Sequence, residues 1–97
     1  MSTIDKELKA AEAALAAIDT LSISVPDPDV VATLRKAKIA AEPIINFTTN
    51  VSIVEARDKL VNALSDLIRA LEEGPPPQEK IDRAKDAIEV WMNQLLD

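Results

Sequence analysis

Apolar positions recur at steps of three and four in four stretches of this chain, the period of a helix with one buried side. The widest stretch is VSIVEARDKLVNALSDLIRALEEG, from Val51 to Gly74. Ile53, Leu60, Leu64, Leu67 and Leu71 form its stripe, and Val54, Val61 and Ile68 broaden it. At 100° per residue that arc covers roughly 160°, too wide for a seam with one partner helix. This helix therefore needs neighbours on two sides and is predicted to be the central packing element. Ser52 and Glu55 have the spacing of a capping box, which puts the N-cap at Ser52 and the helix over about 53–73. Gly74 suits the backbone reversal at its end, and Pro75, Pro76 and Pro77 forbid continuation.

Three further helices flank it. The first is predicted over about 3–20, capped by Ser2 or Thr3, with Asp5 and Glu7 favourably placed in its first turns. Its stripe is Ile4, Leu8, Ala11, Leu15 and Ile18. Ala10, Ala13, Ala14 and Ala17, with Leu21, form a second surface of small residues. Alanine is the best helix former, but small side chains also let a second helix come close, from this chain or from another copy. Leu21 to Asp27 reads as an extended connection. Asp27 before Pro28 then starts a helix over about 28–45, with Val30, Leu34, Ala37, Ala41 and Ile44 on one face. Pro43 makes that helix stop near Ala41, or kink and continue to about Ile45. Ile39 projects opposite the stripe. Asn46 to Val51 connects onward, and Phe47 within it suits a plug for one end of the bundle. The last helix, over about 77–96, presents Ile81, Ala84, Ile88, Trp91 and Leu95, flanked by Met92 and Leu96.

Four helices joined by short links make an all-α, up-down helical bundle, one domain over 1–97. Composition agrees: 47% of residues are apolar, 29% are charged and Gly occurs once, which suits a globular helical chain. No apolar run is long enough to span a membrane, and the N-terminus lacks the pattern of a secretory signal. The expected setting is therefore intracellular and soluble. Two matches to the glycosylation pattern, at Asn46 and Asn50, carry no weight in that setting.

The net charge of −6 argues against direct nucleic-acid binding, which favours a basic surface. His, Cys and Tyr are all absent, which removes the commonest acid/base group, the thiol nucleophile and the usual ligands of zinc. No glycine-rich phosphate loop exists. The tightest acidic groups, Asp27–Asp29 and Glu72–Glu73, sit at helix ends. Neither a catalytic residue, nor a cofactor, nor a metal site is predicted. What remains are surfaces. The alanine face (Ala10, Ala13, Ala14, Ala17, Leu21) and Trp91 are candidate interface residues; core packing is the other role open to Trp91. Arg35, Lys36 and Lys38 form the densest basic group and are candidates for contacting an anion or an acidic partner. Arg57 lies near the apolar stripe, where its stem can cover apolar surface. The pattern points to a non-enzymatic protein–protein interaction module that self-associates as a homodimer or higher oligomer. The alternative is an acidic nucleic-acid mimic that blocks a DNA- or RNA-binding protein.

Overall fold

The computed structural model of the protein describes residues 4–20, 28–43 and 50–96. It contains four helices: α1 (Ile4–Thr20), α2 (Pro28–Ala41), α3 (Val51–Glu73) and α4 (Gln78–Leu96). Each helix packs against two others, in the cyclic order α1–α2–α3–α4, and no diagonal pair comes into close contact among the described residues. The body measures 38 × 23 × 18 Å, so α3, roughly 35 Å long at 1.5 Å per residue, spans its long axis. Cross-helix contacts give the directions. Arg35 of α2 meets Glu72 near the end of α3, whereas the carbonyl of Glu42, just past α2, accepts from Arg57 near the start of α3. Asp19, in the last turn of α1, meets Lys85 in the first half of α4. Neighbours therefore run antiparallel, as the short links require.

The core takes residues from all four helices. α3 supplies Leu60, Leu64, Leu67 and Ile68, all buried, together with Ala56 and Ala63. Ile53 and Leu71, at the stripe's ends, are half-buried against them. Ala56 and Ala63 extend the buried surface toward one flank, which is how a single helix serves two neighbours. α4 buries Ile81, Ala84, Ile88, Trp91 and Leu95, the predicted stripe. α2 buries Val30, Leu34, Ala37 and Ala41. Its α-helix stops at Ala41, and a short 3₁₀ turn at Glu42 and Pro43 follows. The stop near Ala41 is one of the two outcomes expected at Pro43; the other, a continuation to about Ile45, falls outside the described residues. The predicted connections Leu21–Asp27 and Asn46–Thr49, with Phe47, the caps at Ser2, Thr3 and Asp27, and Ile44 lie outside the described residues.

Two local expectations are corrected. The N-cap of α3 is Asn50, not Ser52: its side-chain oxygen accepts from the Ser52 N–H at 2.9 Å, and its carbonyl accepts from the Val54 N–H at 3.1 Å. Asn is among the strongest N-caps, and it moves the helix start forward to Val51. At the other end Gly74 takes the positive φ of 151° that side chains disfavour, and its N–H donates to the Ala70 carbonyl at 3.1 Å.

The second correction concerns α1. The buried positions on this helix are Glu7, Ala11, Ala14 and Ile18. Leu8 and Leu15, expected in the middle of the stripe, are half-buried on one flank, and Ala10 and Ala17 pack half-buried on the other. The inward face is thus turned by roughly 50° from the line drawn through the largest side chains. The cause is the ring: α1 has to face α2 and α4 together. Asp19 shares a flank with Leu8 and Leu15 and pairs with Lys85, so that flank faces α4. The alanine flank faces α2, where small side chains allow close approach.

Candidate protein-binding groove

The antiparallel docking of α2 on α3 leaves an open groove of about 380 Å³ along their seam. Arg35, Lys38, Ile39 and Glu42 line it from α2; Ser65, Ile68, Arg69 and Glu72 line it from α3. The i, i+3, i+4, i+7 spacing within each set puts those residues on one flank of each helix. Buried Ile68 makes the apolar floor, and Ile39 stands at the rim with 65% of its surface exposed.

The charges differ in how they are used. Arg35 donates to Glu72 Oε2 at 3.3 Å, across the helix pair. Glu72, which the dipole of its own helix disfavours, thereby finds a cation on a neighbour. Both side chains are more than half exposed, so the pair contributes little stability. Lys38 and Arg69 have no ion-pair partner among the described residues. They line the groove from opposite helices, and Ser65 lines it one turn before Arg69 on α3. Chemically this is a cleft that can hold a carboxylate beside an apolar side chain.

The predicted basic group is therefore divided. Arg35 and Lys38 line the groove, while Lys36 is exposed and does not. Arg69 takes its place. Local spacing could not reveal Arg69, because only the docking of α3 on α2 brings it opposite Lys38. Arg57 is committed elsewhere: its Nη1 donates to Asp58 at 2.7 Å and its Nη2 to the Glu42 carbonyl at 3.2 Å, tying the end of α2 to the start of α3.

The candidate interface residues on α1 and α4 fall as follows. Ala14 is fully enclosed, Ala10 and Ala17 pack against the core, Ala13 is exposed, and Leu21 lies outside the described residues. Trp91 is 1% exposed and is the largest of the enclosed side chains. A second open groove, of about 330 Å³, runs between α3 and α4 with Val90 at its edge, but Asp66 and Asp86 accompany Lys59 and Arg83 there, so it has no charge preference. Among the described residues no three acidic side chains gather as a metal site would need, and no helix is long and apolar enough to cross a membrane. No protein-family model matches the chain, and neither a curated protein nor a solved structure matches it.

Proposed function

We propose that the chain is a non-catalytic protein–protein interaction module that uses the α2–α3 groove to hold an acidic segment of a partner carrying an apolar side chain. The observation behind this reading is the juxtaposition of Lys38 and Arg69, both without ion-pair partners among the described residues, with the exposed Ile39. With Arg35 paired to Glu72, the groove holds Lys38 and Arg69 against the single carboxylate of Glu42, a local excess of positive charge on a chain of net charge −6. Such an excess steers complementary partners and excludes like-charged ones. An exposed aliphatic residue beside them supplies apolar area that becomes buried on contact.

The reading does not include self-association through α1, since Ala14 is enclosed and its neighbours Ala10 and Ala17 pack inward. Nucleic-acid mimicry has little support, because several carboxylates are already paired with cations: Asp19 with Lys85, Asp58 with Arg57, Glu72 with Arg35 and Glu79 with Arg83.

Amide chemical shifts of the labelled protein, titrated with a synthetic helical peptide carrying Leu at steps of three and four and Glu elsewhere, test the proposal. Shifts confined to residues 35–42 and 65–72 are expected. They should be lost in Lys38→Glu with Arg69→Glu, be reduced in Ile39→Ser, and persist in Lys36→Glu. Equal shifts in all variants would refute the groove as the contact surface.

A further inference from the structure

One polar side chain breaks the pattern of the core. Glu7 is only 9% exposed, and its Oε2 is buried with no hydrogen-bond partner among the described residues. It lies on the inward face of α1, one turn before Ala11 and two before Ala14. Enclosing a carboxylate oxygen without a partner opposes folding, because the hydration it loses is not replaced. An apolar residue there would dock α1 more firmly.

The rest of α1 grades in the same sense. Ile18, close to its C-terminal end, is its one large side chain fully enclosed among the described residues, and the Asp19–Lys85 pair lies beside it. Toward the N-terminus the inward positions are Ala14, Ala11 and Glu7, with Leu8 half-buried on the flank. α3 and α4, by contrast, each bury four large apolar side chains, Leu60, Leu64, Leu67 and Ile68 on one and Ile81, Ile88, Trp91 and Leu95 on the other, with alanines between them. Measured back from the Asp19–Lys85 pair along two antiparallel helices, Glu7 is level with the last turn of α4. The thinly anchored half of α1 therefore overlies the part of α4 that carries Trp91 and Leu95.

We propose that the N-terminal half of α1 is a displaceable cover, and that an amphipathic helix with a large apolar residue in place of Glu7 binds the cleft it leaves between α2 and α4. Opening returns the Glu7 Oε2 to water and uncovers an aromatic anchor beside aliphatic surface, the composition of strong helix-binding clefts. Local opening of this kind is drawn from the least densely packed element of a fold. The site is separate from the α2–α3 groove and uses none of its residues.

Hydrogen exchange on the full chain tests the first half. Amides of residues 8–14 are expected to exchange at least tenfold faster than those of residues 60–67. Glu7→Leu should slow the α1 amides at least tenfold while leaving α3 unchanged, and Lys9→Leu, on the exposed side of the same helix, should not. Equal exchange in α1 and α3 of the native chain overturns the proposal. So does equal slowing of both helices by Glu7→Leu, or the same slowing by Lys9→Leu. The second half is tested with a labelled peptide of residues 4–20 carrying Leu at position 7. It should bind the native chain at least tenfold more tightly than the chain carrying Glu7→Leu, whose own helix is held in place. Equal binding, or none, overturns the cleft as a helix site.

Discussion

Adjacent alanines on α1 report its orientation, and glutamate substitutions at the two positions should behave in opposite ways. Ala14 is fully enclosed, whereas Ala13, one residue earlier, is exposed. Glutamate at position 14 adds side-chain volume to a filled site, at a cost of about 1–3 kcal/mol. It also places a carboxylate where water cannot reach, and an uncompensated buried charge costs about 3–5 kcal/mol more. Together these reach about 4–8 kcal/mol, a large part of the ~5–15 kcal/mol that holds a domain of this size. Glutamate at position 13 meets solvent and is a good helix former, so its effect should stay within about 0.5 kcal/mol. In urea, at a slope of about 2 kcal/mol per M, Ala14→Glu should lower the midpoint by about 2 M or more, while Ala13→Glu should shift it by less than about 0.3 M. Far-UV circular dichroism and the fluorescence of Trp91, the one tryptophan, follow the transition from two independent signals. Comparable midpoints for the two variants would refute the orientation of α1 and restore Leu8 and Leu15 to the centre of its inward face.

Two further outcomes test the packing. Asn50→Ala should cost about 0.5–2 kcal/mol, because the Ser52 N–H loses its acceptor, while Ser52→Ala should cost much less; denaturant melts with the reverse ranking would return the cap to Ser52. Leu64→Ala, at a fully enclosed position in the middle of α3, should cost about 2–5 kcal/mol in the same assay, and a loss below about 1 kcal/mol would mean that α3 is not the centre of packing.

The parts of this architecture that repeat locally were legible in the sequence. The stripes of α3 and α4, the stop at Gly74 and the start at Pro28 each depend on residues within one or two turns, and each is observed. The orientation of α1 was not legible by the same reasoning. Its largest residues, Leu8 and Leu15, mark one edge of the inward face, and the alanines that complete that face also suit a helix exposed to solvent. Nothing local distinguishes Ala14, which is enclosed, from Ala13, which is not. Glu7 was hidden for the same reason: an acidic residue early in a helix has a sufficient explanation in the dipole. The groove was half legible. Arg35 and Lys38 are neighbours on α2, but Arg69 joins them only through the pairing of α2 with α3, and a pattern read along one helix carries no information about that pairing.

The cyclic arrangement of the helices also sets an order in time. Three of its four seams, α1–α2, α2–α3 and α3–α4, join helices that follow one another in the chain, and each closes a short loop. The fourth, α1–α4, joins the first helix to the last and must close a loop containing two whole helices. Closure entropy grows with loop length, so this seam is the most expensive to nucleate and the last to form. A transition state that has gathered Leu64 and Leu67 but not yet the α1–α4 seam is the kinetic signature of that order. The seam that closes last thus belongs to the helix whose inward face holds a carboxylate oxygen without a hydrogen-bond partner among the described residues, and slow docking and easy release along that seam become two expressions of one topology.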